Sequence, residues 1–183
     1  MIKVLVPLAN GFEDIEAVTI VDVLRRGGVT VVAASIHDTP DVAGAHGLRA
    51  CADAVLSEVA GEDFDAIVIP GGSVGTENLK NCDAFVRMII RQRERGGLLC
   101  AICAGPTVLQ EAGIISPMHY ATCYPTCQME LNCNWVNEPV VEHDRIITGQ
   151  APGSAMIFSL VVLKALKGEA VAKKVARGMV FDF

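Results

Sequence analysis

The hydrophobic positions of this chain fall into short unbroken runs, separated by stretches in which apolar residues recur every three or four positions. Residues 2–6 are almost wholly apolar, the pattern of a strand covered on both faces rather than one. After Pro7 and the turn Leu8-Ala9-Asn10-Gly11-Phe12 comes an acidic start, Glu13-Asp14-Ile15-Glu16. Carboxylates there suit the positive end of a helix dipole. Val18, Val21 and Leu24 then recur at helical spacing and predict the buried face of a helix that Gly27-Gly28 ends. Residues 29–34 are a second, β-branched strand. Strand, helix and strand of this length predict a right-handed crossover and a parallel pair.

Residues 36–50 contain Pro40, Gly44 and Gly47 and are expected to form a loop with short strands. Ala66–Ile69 is another buried strand, closed by Pro70-Gly71-Gly72. Phe85, Met88 and Ile89 mark a helix face ending at Gly96-Gly97. Leu98–Ile102 is the next strand, and Gly105-Pro106-Thr107 opens a helix, proline being favoured in a first turn. A late strand covers 146–148, paired in a hairpin with Val140-Val141, and Met156, Leu160 and Leu163 share one face of a further helix. This alternation predicts an α/β three-layer sandwich, with helices on both faces of a mainly parallel sheet. No linker, repeat or shift in composition divides it, so residues 1–183 are expected to form one domain. Ligands of open parallel sheets sit beyond the carboxyl ends of the strands. Three turns compete for that place: 10–16, 71–75 and 103–107.

Composition narrows the function. With 51 % hydrophobic and 20 % charged residues, and a mean hydropathy of +0.41, disorder is excluded and some surface is expected to be buried against another subunit. A net charge of −6 without any basic run argues against nucleic acid as a partner. No apolar stretch reaches the ~18–20 residues that span a bilayer, and the N-terminal run is too short for a signal peptide. The expectation is a soluble, cytoplasmic protein. Seven cysteines, an odd number, point to reduced thiols rather than a disulfide framework.

Among these thiols Cys103 stands out. It follows an apolar strand and precedes a helix start, with Gly105 permitting a tight turn; peptide dipoles at such a place favour an ionised thiol, and turn N–H groups can hold an oxyanion. The spacing suits a buried structural cysteine equally well. Cys100 and Cys103 form a C-x-x-C, but Cys100 lies inside the strand, and alternation sends residues three apart to opposite faces. Gly71-Gly72-Ser73-Val74-Gly75 matches the G-x-S-x-G of serine hydrolases. The late histidine such a triad needs is His143, which falls in the hairpin, so Ser73 is read as a turn residue. His119, Cys123, Cys127 and Cys133 lack the paired spacing of structural zinc, and no metal is expected. Of Glu13, Asp14 and Glu16, at least two are read as a solvated first helical turn; the third can face inward and keep its proton in an apolar pocket.

Taken together, residues 10–16 (Asn-Gly-Phe-Glu-Asp-Ile-Glu), Pro70-Gly71-Gly72, Ala101-Ile102-Cys103-Ala104-Gly105-Pro106 and Ala151-Pro152-Gly153-Ser154 resemble the ThiJ/PfpI superfamily, in its DJ-one-like branch. The resemblance spans essentially the whole chain. It implies a flavodoxin-like sandwich, a homodimer, and Cys103 as the reactive thiol on a strained elbow. Glu16 matches the family's buried, protonated glutamate; Gly72 and Ala104 match positions whose backbone N–H groups face the sulfur or an oxyanion. Ala104 stands where the protease-like branch has a histidine, which argues against a peptidase. Tyr124, in Thr122-Cys123-Tyr124-Pro125, replaces a histidine common in relatives and is a poor base at neutral pH. Arg25 and Arg26 match a basic pair near the family's dimer interface. The activity implied is of the glyoxalase/deglycase type, without cofactor, on aldehydes such as methylglyoxal or early glycation adducts of amines. The alternative, an oxidation sensor or stress-response chaperone, uses the same Cys103.

Overall fold

The structure, a computed structural model, describes residues 1–183. In chain order its elements are β1 (Lys3–Leu8), α1 (Asp14–Arg26), β2 (Thr30–Ser35), β3 (Asp41–Ala43), β4 (Arg49–Cys51), β5 (Ala54–Val55), α2 (Leu56–Val59), β6 (Ala66–Ile69), α3 (Ser73–Lys80) and α4 (Asp83–Glu94). There follow β7 (Leu98–Ile102), α5 (Pro106–Glu111), β8 (Tyr120–Ala121), β9 (Asn134–Trp135), β10 (Val140–His143), β11 (Ile146–Gly149), α6 (Ala155–Lys167) and α7 (Glu169–Gly178). Seven strands form one sheet in the order β10-β11-β7-β6-β1-β2-β5. Every neighbouring pair in it is parallel except the β10–β11 hairpin at the edge.

Burial follows the two-residue period of a strand. Val4, Val6, Val68, Cys100 and Ile102 face one core with α1, α6 and α7, where Ile20, Leu24, Phe158 and Leu163 are sealed. Leu5, Ile67, Ile69, Leu99 and Ala101 face the other core with α3, α4 and α5, around Leu79, Phe85, Ile89 and Val108. Both faces are covered, which is why the strand sequences run apolar without alternation. The three-layer α/β sandwich expected from the pattern is the observed fold. No helix is long and apolar enough to cross a membrane.

Two expectations change. The buried face of α1 is Ala17, Ile20, Val23 and Leu24, whereas Val18 is 53 % exposed and Val21 half-buried. This helix is apolar on two faces, and the sheet took the one with Ile20. Cys100 and Cys103, expected on opposite faces, belong to the same core cluster. Strand alternation ends at Ile102, because Cys103 turns into left-handed backbone.

Candidate active site

The parallel strands deliver three turns to one end of the sheet. Cys103 leaves β7 at φ 64°, a region costly for a residue with a Cβ. Its neighbours hold it there. The Cys103 N–H donates to the Gly149 carbonyl at 3.0 Å, and its carbonyl accepts from the Tyr124 N–H at 2.9 Å. The Gly105 N–H closes the elbow on the Ile102 carbonyl at 2.8 Å. A Cβ on Gly105 would lie 2.8 Å from the Ile102 carbonyl and 2.9 Å from that of Ile69, so glycine is required.

Against this elbow comes the first turn of α1. Glu16 is fully buried, and its Oε2 accepts the Gly71 N–H at 2.7 Å. Glu13 caps the helix, its Oε2 accepting the Glu16 N–H at 2.9 Å while its own N–H donates to the Gly71 carbonyl at 2.9 Å. Gly71 lies between the two chemical groups: a Cβ there would sit 2.7 Å from both Cys103 Cβ and Glu16 Oε2. Gly72, at φ 95°, and Ala104 direct N–H groups at the Cys103 sulfur. The four residues singled out from sequence, Cys103, Glu16, Gly72 and Ala104, therefore meet in one place.

The electrostatics are those of a buried acid pair. Burial lifts the Glu16 carboxyl to about 7, against the pull of the Gly71 N–H and the Cys103 thiol; the Glu13 carboxylate adds to the rise. Burial also pushes the Cys103 thiol up, followed by the charge of Glu16 and the hydrogen bond the thiol gives it, while the Ala104 and Gly72 N–H groups pull it down. A thiol ionised by a helix dipole is thus not what the structure provides: α5 has only six residues, and burial outweighs the turn. One of the three upward causes, the charge of Glu16, exists only while Glu16 is ionised. Glu16 Oε1 is buried without a hydrogen-bond partner, which adds to the cost of charging this carboxyl. Glu16, lifted only to about 7, gives up its proton before the Cys103 thiol does, so a pair holding a single proton is a thiol beside a carboxylate.

The other candidates disperse. The Tyr124 side chain is exposed; its backbone is what touches the elbow. Ser73 opens α3 at the surface, while His143 ends β10 beside the hairpin turn at the opposite end of the sheet. His119 bonds Ser116 and Asp144, without any third metal-type ligand. Arg25 pairs with Asp53 and Arg26 with Asp22. The expectation that two of the three carboxylates are merely solvated needs correction. Glu13 is only 7 % exposed, and Asp14 accepts the N–H groups of His46 and Leu48, both at 2.9 Å. Their roles depend on loops far away in sequence, and only the cap position of Glu13 was a local signal.

With this geometry in view, comparison with known proteins is informative. The DJ-1/PfpI family model matches residues 2–165. Protein DJ-1 homolog B of Arabidopsis thaliana is 39 % identical over 97 % of this chain and 41 % of its own length, so the chain spans less than half of that relative. The glutathione-independent glyoxalase DJR-1.2 of Caenorhabditis elegans is 38 % identical, over 85 % of this chain and 83 % of its own. Oxidised Toxoplasma gondii DJ-1 superposes with a TM-score of 0.95 at 36 % identity, covering all of both chains. The elbow, the acid and the fold that carries them thus have one origin: the chain belongs to the DJ-1/PfpI family.

Proposed function

We propose that this protein is a cofactor-independent glyoxalase acting on small 2-oxoaldehydes such as methylglyoxal, and on their early adducts with amines. The observation that carries the reading is the contact of buried Glu16 with Cys103 on a left-handed elbow faced by two N–H donors. The glyoxalase relative in Caenorhabditis elegans supports the reaction type.

The chemistry runs as follows. The Cys103 sulfur adds to the aldehyde carbon; the carbonyl π pair moves to oxygen, which the Gly72 and Ala104 N–H groups stabilise before it takes the proton shared by the pair. Glu16, now a carboxylate, removes the proton from that carbon and returns it to the neighbouring one, while the hydroxyl proton passes to the neighbouring oxygen through the enediol, giving a Cys103 thioester of a 2-hydroxy acid. Water cleaves the sulfur–carbon bond and restores the thiol. The net change is aldehyde plus water to hydroxy acid, with no external oxidant or reductant. Lactate formation from methylglyoxal by the purified protein, absent in Cys103→Ala, tests this reading.

Oxidation of the same sulfur is the second reading. It is favoured by the oxidised Toxoplasma relative and by N–H groups that suit an anionic sulfinate. Peroxide-sensitive Cys103 in a protein that makes no lactate would select it. As for assembly, Ile15 and Val18 leave an apolar strip on the outside of α1 beside exposed Leu48. A second copy of the chain covers that strip in this proposal, and sedimentation of Val18→Asp as a monomer beside a dimeric wild type checks it.

A further inference from the structure

Hydrolysis of a thioester needs a base for the incoming water, and Glu16 is fully buried and bound to Gly71. Four histidines are available. His119 and His143 adjoin the β10–β11 turn, at the amino end of the parallel strands, away from Cys103. His37 lies at the right end, but its Nε2 accepts the Asn10 N–H at 3.0 Å. His46 alone presents Nε2 to a carboxylate of the site, 3.8 Å from Glu13 Oε1.

The loop that carries His46 is fixed at unusual density for an exposed turn. Asp14 Oδ2 accepts the His46 N–H and Oδ1 that of Leu48, both at 2.9 Å. The Ala45 N–H donates to the Phe12 carbonyl at 2.8 Å, and the Gly44 N–H to the Leu48 carbonyl at 2.7 Å. Gly44 approaches α1 so closely that a Cβ would lie 2.4 Å from Asp14 Oδ1. The backbone of residues 44–48 is therefore pinned to the first turn of α1, while the imidazole remains 76 % exposed. Glu13 continues inward from it, its N–H on Gly71 and its carboxylate on the Glu16 N–H. A Cβ built on Gly72, whose N–H faces the sulfur, would lie 2.7 Å from the Glu13 nitrogen.

We propose that His46 is the base for the hydrolytic half of the reaction, with Glu13 as the carboxylate that orients it. This rests on the glyoxalase reading. Water attacks the Cys103 thioester carbon as Nδ1 takes its proton, Nε2–H being the nitrogen turned to Glu13; the sulfur–carbon bond breaks, the electron pair leaves on sulfur, and the imidazolium returns a proton to the sulfur–carboxyl pair. Glu13 at the ring and Asp14 beneath the loop are the carboxylates that hold this histidine in the structure.

The test is turnover of methylglyoxal by wild type, His46→Gln and His46→Ala, with the mass of Cys103 read after acid quench. Loss of a positioned base lowers kcat about 100-fold. The expected signature is Cys103 accumulating as its lactoyl thioester in both variants, with imidazole in the buffer restoring the turnover of His46→Ala. Unmodified Cys103 as the dominant species in the variants, or a slow His46→Ala that imidazole does not restore, overturns the role of His46 and leaves the glyoxalase reading standing. A wild type that makes no lactate, or makes as much as Cys103→Ala, overturns both.

Discussion

Cys100 and Cys103 lie three residues apart at the end of one strand, and both belong to the same core cluster, yet their surroundings differ in kind. Cys100 is wholly buried in β7, and burial pushes its thiol up without any carboxyl in contact. Cys103 is buried almost as deeply and its thiol is pushed up too, but it sits on left-handed backbone, touches Glu16 and receives two N–H groups. Depth therefore does not distinguish a reactive sulfur from an inert one here. The difference lies in what stands beside the sulfur: Cys103 has a buried carboxyl that can exchange a proton during turnover, whereas Cys100 has no such neighbour.

The most severe break in this contrast is Cys103→Ala, which should remove methylglyoxal turnover altogether while circular dichroism shows an intact fold, since a buried thiol is replaced by a smaller apolar group. Glu16→Gln comes next. The amide still accepts the Gly71 N–H and can donate to sulfur, but cannot carry a proton between carbons, so kcat should fall about 100-fold. Peroxide should still oxidise Cys103 in this variant, because the two N–H donors remain; mass spectrometry after mild peroxide reads that directly. Gly71→Ala keeps both reacting groups yet drives a methyl between them, to within 2.7 Å of each. It is expected to lower kcat by about tenfold, as a misplacement of catalytic groups does, and a variant with unchanged kcat would show that Glu16 and Cys103 need not touch.

The same acid leaves a mark on stability. Its carboxyl titrates at about 7 in the fold against 4.5 when exposed. The folded state therefore binds more protons between those values. The stabilising contribution is complete below pH 4.5 and is lost as pH rises through 7. Denaturant titrations at pH 5 and pH 8 should show wild type losing about 3 kcal/mol relative to Glu16→Gln across that window, at ~1.4 kcal/mol per unit. Equal losses in the two proteins would mean that Glu16 is ionised in the fold at pH 5.

How much of this was legible in the sequence depends on the range of the interaction. The strands were readable because both faces of the sheet are covered, so that 2–6, Ala66–Ile69 and Leu98–Ile102 are apolar throughout. The elbow was readable from Gly105 and Pro106 after such a run, and Glu16, Gly72 and Ala104 from the family resemblance. The face of α1 was not, since Val18 and Ile20 are equally apolar and only packing against α6 chooses between them. Nor was the burial of Glu13, whose partner Gly71 lies in the turn after β6, or the seating of His46 on Asp14, 32 residues earlier in the chain. The left-handed turn at Cys103 carries no signature, because nothing about cysteine announces it.

The smallest expected effect returns to the neighbour. Cys100→Ala deletes one sulfur from a sealed position among Val68, Ile102 and Phe158, and should cost about 1 kcal/mol of stability, the scale of one small buried group plus its cavity. It leaves the elbow's hydrogen bonds to Gly149 and Tyr124 in place, so kcat and KM should stay within about twofold of wild type, well inside the tenfold that ~1.4 kcal/mol of lost transition-state stabilisation represents. Urea unfolding and steady-state kinetics on the same preparation measure both. A Cys100→Ala variant that kept its stability but lost turnover would reverse the contrast, since it would mean that the two sulfurs act as a dithiol and that the carboxyl of Glu16 is not what sets Cys103 apart.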